Sequence, residues 1–158
     1  MIAGEPEAVS SPADLEGETV GVTGVPSDDA VLDTVLASAG LVPEDVERVT
    51  IGFAAVPSLA AGKIGAATAF WNAEGVELRE QGIPTREFRV DEFGAPRYPE
   101  LVVATAGDGE GAPAEPRITC ALLEGINLGY GDMADDPQAA LDEMLAEVDG
   151  LDADSQRA

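Results

Sequence analysis

From Glu18 to Val90, short apolar runs alternate with amphipathic stretches. Glu18–Gly24 (ETVGVTG) predicts a short buried strand with Val20 and Val22 on one face. The turn VPSDD follows. Val31, Leu32, Val35, Leu36 and Ala39 then share one stripe of a helix over Asp28–Ala39. Ser27 is placed as its N-cap, Asp28 and Asp29 suit the positive end of the helix dipole, and Gly40 suits the position just past the helix. Arg48–Phe53 (RVTIGF) predicts a second strand, so residues 18–53 read as a β-α-β unit with parallel strands. A short helix over 57–62, a third strand Ala66–Trp71 (AATAFW), a helix Asn72–Gln81 and a fourth strand Arg86–Val90 complete this region.

The pattern changes on either side. Residues 1–13 read as a lead-in with loop character, and 91–99 (DEFGAPRYP) as a turn-rich crossover. Leu101–Thr105 (LVVAT) predicts an apolar strand, followed by an acidic loop. Pro116 opens a helix carrying Ile118, Ala121, Leu122, Ile126 and Tyr130, in which Gly125 and Gly129 each cost about 1 kcal/mol against alanine. A last helix has Asp136 as cap, Pro137 at its first position, and Leu141, Met144, Leu145 and Val148 on one stripe. Residues 150–158 read as a frayed tail. The strand at Leu101 stands alone in its region, and a single strand makes no sheet. It either joins the first sheet or lacks the partners it was built for.

Composition narrows the function classes. Acidic residues outnumber basic ones 31 to 8, and the net charge is −23. Nucleic acid is disfavoured as a partner, since phosphate contacts need clustered Lys and Arg. The charge reads as a solubilising surface or, with Lys63 the single lysine, as adaptation to salt. There is no histidine and one cysteine, Cys120. A His-based triad, a Cys/His zinc site and an internal disulfide are thereby excluded. No cofactor or metal is expected. Cys120 reads as a buried structural thiol on an apolar helix face. No stretch approaches the roughly 20 apolar residues that span a bilayer, and residues 1–13 lack a secretory pattern.

Three segments carry a family resemblance: Asp14–Leu36 (DLEGETVGVTGVPSDDAVLDTVL), Val49–Leu78 (VTIGFAAVPSLAAGKIGAATAFWNAEGVEL) and Phe88–Thr105 (FRVDEFGAPRYPELVVAT). Asp136–Leu145 resembles the family's last helix. Together they resemble the thiamine-precursor branch of type II periplasmic solute-binding proteins, relatives of the aliphatic-sulfonate binders. The resemblance implies an α/β fold with two lobes around a ligand cleft. Residues 14–90 would be lobe two, 91–99 the hinge and 100–149 the return into lobe one. It implies an extracytoplasmic component of an ABC importer, with a permease as partner and a small heterocycle as ligand. The chain departs from the family's pattern at Gly65, where the family usually has an aspartate, and in the helix after Pro116, which is unusually glycine-rich. A half-cleft implies weak binding, and uncovered apolar surface implies association with another polypeptide.

The candidate ligand-binding residues are Ser27, Asp28, Trp71, Asn72, Glu74 and Tyr98. A glycine turn before a helix N-terminus can hold an anion. Here two carboxylates stand at that place, which favours a neutral or cationic ligand bearing hydrogen-bond donors. Simple capping accounts for Ser27 and Asp28 equally well. Trp71 can stack on a flat ring, Asn72 donates and accepts, and Glu74 accepts from an amino group, a set that suits an aminopyrimidine. The alternative places Trp71 in the core, with Asn72 as a helix cap and Glu74 in that helix's first turn. Tyr98 reaches the cleft from the hinge or packs as a turn residue before Pro99. An enzyme related to thiamine-pyrimidine synthesis and a stand-alone sensing domain are the competing functions. The former lacks the histidine and cysteines it would need.

If the acidity is a salt adaptation, the melting temperature rises steeply between low and molar salt in a thermal scan; a flat response contradicts it.

Overall fold

The structure, a computed structural model, describes residues 1–4, 7–97, 102–107, 109, 112 and 115–157. The chain divides into two compact units, Met1–Tyr98 and Pro99–Ala158.

The first unit is built on one sheet. Its strands are β1 (Ile2–Gly4), β2 (Thr19–Val22), β3 (Glu47–Thr50), β4 (Ala66–Ala67) and β5 (Thr85–Glu87), in the order β3-β2-β4-β1-β5. β2 runs parallel to β3 and β4, whereas β1 is antiparallel to both of its neighbours. The two-residue side-chain period divides the core between the two faces. Ala3, Val20, Val22 and Ala66 join Leu32, Val35 and Leu36 of helix α1 (Pro26–Ser38). Ile2 and Ala67 join Val56 and Leu59 of α2 (Ala55–Ala60) and Leu78 of α3 (Glu74–Glu80). Gly21 faces the second group without a side chain. A Cβ there would lie 2.6 Å from Ile51 Cδ1 and 2.8 Å from Ile64 Cδ1, so the glycine lets those two isoleucines cross the strand. Arg48 of β3 pairs with Asp33 and, at 3.2 Å, with Asp29, tying α1 to the sheet edge.

The expected α/β class is the observed one, but several elements differ. Residues 2–4 form not a loop but a fully buried strand between β4 and β5. Its short apolar run shows no alternation because both faces are covered. α1 begins at Pro26 with Val25 as N-cap, so Ser27 is not the cap. Proline is pre-shaped for the first helical position and draws the start forward. The third strand ends at Ala67, not Trp71, and α3 starts at Glu74, not Asn72. The short helix is Ala55–Ala60, and β5 ends at Glu87.

In the second unit, α4 (Pro116–Asp135) runs unbroken through Gly125 and Gly129. α5 (Pro137–Glu147) is capped by Asp136, whose side chain accepts from the Ala139 amide at 3.1 Å. Ala153–Arg157 forms α6 where a frayed tail was expected. Of the strand expected at Leu101–Thr105, Leu101 lies outside the described residues and residues 102–105 form no strand. Cys120 is exposed, not buried. Among the described residues no helix is long and apolar enough to cross a membrane.

Truncating Ile2 removes a side chain covered on every side, so Ile2→Ala costs about 2–5 kcal/mol in urea unfolding. Val49→Ala, at an exposed position of edge strand β3, costs about 0.5 kcal/mol or less. Equal small losses contradict the central place of β1.

Candidate functional site

In a parallel array, the loops leaving the carboxyl ends of the strands emerge at one edge. Here these loops are Thr23–Val25 after β2, residues 51–54 after β3 and Thr68–Ala73 after β4. They carry Val25, Phe53, Phe70 and Trp71, which are 47%, 86%, 46% and 64% exposed. The chain has only four phenylalanines, two tyrosines and one tryptophan. Phe88 and Phe93 are used in packing, edge to face at 5.8 Å. The described aromatics left exposed in the first unit are therefore all on this edge.

One carboxylate oxygen holds the edge together. Asp28 Oδ2, in the first turn of α1, accepts from the Thr23 amide at 3.1 Å, the Thr23 hydroxyl at 2.6 Å and the Thr68 hydroxyl at 2.9 Å. It thus joins the ends of β2 and β4 to the start of α1. The Val25 amide donates to Thr23 Oγ1 at 3.2 Å, closing the turn. Gly24, at φ 92°, makes that turn possible; a Cβ there would also crowd Thr50 Cγ2 at 3.0 Å.

The loop after β4 is fixed from below. Glu74 Oε2 accepts from the Phe70 amide at 2.9 Å, and the Gly75 amide donates to Phe70 O at 3.0 Å. Trp71 and Asn72 project at the tip, and the Asn72 side chain has no hydrogen bond among the described residues. Arg79 pairs with Glu87 and donates to the Trp71 carbonyl at 3.4 Å.

The structure therefore brings Asp28, Trp71, Asn72 and Glu74 to one edge and leaves Ser27 exposed beside them. Trp71 is not in the core. Tyr98 lies outside the described residues. Phe53, Phe70, Thr23 and Thr68 belong to the same edge and were missed in the sequence. The signal for Phe53 was its place after a glycine at a strand end, where a buried residue and an exposed one look alike.

The electrostatics disfavour anions. None of the three loops contains Lys or Arg. Arg89, which follows β5, lies 3.5 Å from Asp91 and 3.7 Å from Glu92. At the start of α1, Pro26 has no N–H and the Asp28 amide is bonded to Val25 O at 3.0 Å. That helix end presents few free donors. A cavity of about 400 Å³ lies at the opposite edge, lined by Gly4, Glu18, Leu59, Lys63 and Gly65 among others. None of the described candidate residues lines it, and the aromatic side chains of the other edge are exposed to solvent.

Comparisons with known proteins agree with this architecture. The formylaminopyrimidine-binding protein of Halalkalibacterium halodurans is 31% identical over 141 residues, which cover 88% of this chain and 42% of that protein. A proposed thiamine biosynthesis protein of Haemophilus influenzae is 37% identical over 99 residues, 60% of this chain and 31% of its own length. The chain thus spans less than half the length of these curated relatives. The alkanesulfonate-binding protein of Xanthomonas axonopodis pv. citri, solved bound to MOPS, superposes with a TM-score of 0.64 at 20% identity, over 99% of this chain and 52% of that one. The type II binding-protein fold expected from the sequence is the one this likeness shows. The NMT1/THI5-like profile matches residues 1–140, and the chain belongs to that family.

Proposed function

We propose that this chain is a solute-binding, non-catalytic part of an importer-type binding protein. Its ligand is a flat, uncharged or cationic heterocycle of the aminopyrimidine class. The observation that carries this reading is the exposed set Phe53, Phe70 and Trp71 on a strand-end edge whose loops lack any basic residue. Aromatic faces bind rings by stacking and by displacing water. Asn72 supplies a donor and an acceptor to the ring's polar rim. Asp28 Oδ1 is the carboxylate oxygen left for a ligand amine, since Oδ2 is occupied by three internal donors. Glu74 supports the loop through the Phe70 amide and reaches a ligand only with its second oxygen.

A sulfonate, the ligand class of the structural neighbour, fits less well. It would meet Asp28 and a proline-blocked helix start. The named ligand of the curated relative, a formylaminopyrimidine, matches the chemistry of the edge. By the same family argument, the complete protein works outside the cytoplasm and delivers its ligand to an ABC permease.

Trp71 is the single tryptophan, so its fluorescence reports this edge alone. Formylaminopyrimidine added up to millimolar concentration quenches it saturably, and MOPS does not. Phe53→Ala weakens that binding about tenfold, in line with the loss of one stacking face. A flat response to every pyrimidine tested contradicts the reading, and quenching by MOPS in its place supports the sulfonate alternative.

A further inference from the structure

The cavity of about 400 Å³ lies where β2 and β4 begin, at the far end of the sheet from the aromatic edge. Its volume is within the range of small-molecule pockets. Leu59, Ile64 and Ile83 give it apolar walls. Among the described residues, the polar side chains that line it are Glu18, Thr19 and Lys63. The Thr19 hydroxyl is committed, donating to Glu47 at 3.3 Å. The nearby backbone is committed too: the Gly65 amide donates to Thr19 O at 2.8 Å and the Gly4 amide to Gly65 O at 2.9 Å. The side chains of Glu18 and Lys63 make no hydrogen bond or ion pair among the described residues. One carboxylate and one ammonium are therefore left to face the cavity.

Both groups are within reach of one small molecule. The Glu18 carboxylate rests against Gly65, where any Cβ would collide with its Oε2. Lys63 stands two positions before Gly65, which puts their Cα atoms at most about 7 Å apart. The two opposite charges share one cavity without pairing with each other. We propose that this cavity binds a small zwitterion with an apolar body, the chemistry of an aliphatic amino acid. Its ammonium meets Glu18, its carboxylate meets Lys63, and its alkyl part lies on Leu59, Ile64 and Ile83. A simple anion gains Lys63 but faces Glu18, and a simple cation gains Glu18 but faces Lys63. A molecule carrying both signs gains both attractions and leaves neither charge opposed. The apolar walls add the burial of its alkyl part.

The test is an amide chemical-shift titration of the full chain with three probes: leucine, leucinamide, which lacks the carboxylate, and 4-methylpentanoate, which lacks the amine. Leucine is expected to shift Glu18, Thr19, Lys63 and Gly65 saturably, with a Kd of about 1 mM, and to leave Trp71 fluorescence unchanged. Leucinamide and 4-methylpentanoate each bind about tenfold more weakly or not at all. Glu18→Gln and Lys63→Met keep the circular dichroism spectrum, since both side chains lack internal partners, and each weakens leucine binding about tenfold. The absence of saturable shifts at these residues overturns the proposal. So does a one-charge probe that binds as well as leucine, or leucine binding that both substitutions leave intact.

Discussion

The candidate site depends on how the ends of β2 and β4 are joined to α1. Asp28 Oδ2 receives the Thr23 amide, the Thr23 hydroxyl and the Thr68 hydroxyl, and so sets the two loop origins against the start of the helix. A carboxylate with three donors on one oxygen is a strong, directional node, because each bond is charge-assisted. From that node the chain turns outward through Gly24 on one side and toward Phe70 and Trp71 on the other. The aromatic side chains can stay exposed because their loops are held by hydrogen bonds and not by their own burial. Glu74 does for the second loop what Asp28 does for the first.

The same acids that fix the backbone set the electrostatics of the edge. Capping carboxylates are favourable at a helix start and repel anions in the same place. The three loops carry no Lys or Arg, and Arg79, which reaches the Trp71 carbonyl, is paired with Glu87. Shape alone would have left sulfonates and pyrimidines equivalent, since the same fold supports both kinds of binding protein. The distinction rests on side chains grafted on that fold.

The strands and helices with a strong period were legible in the sequence. The stripe Val31, Leu32, Val35, Leu36 marked α1, and Val20 with Val22 marked β2. The strand Ile2–Gly4 was not legible. Three residues buried on both faces give neither alternation nor a helical period, and their partners lie far along the chain at Ala66–Ala67 and Thr85–Glu87. The start of α1 was misplaced because Ser27 is a good capping residue in isolation, whereas Pro26 fixes the first turn one residue earlier. Of the site, the aromatic and carboxylate residues after β4 were legible because they follow a recognisable strand. Phe53 was hidden, since exposure is a tertiary property. Asp28 was found, but its bond to Thr68, forty positions away, was beyond any local pattern.

The two units pose different physical questions. The first has a core on both sheet faces, and the loops of its aromatic edge are held by hydrogen bonds within the unit. The second carries a stripe of exposed apolar residues along α4. The most direct test of the binding edge is amide chemical-shift mapping of the chain during titration with formylaminopyrimidine. The account predicts shifts confined to Thr23–Asp28, residues 51–54 and Thr68–Glu74. Shifts gathered around Glu18, Lys63 and Gly65 at the opposite edge would contradict it.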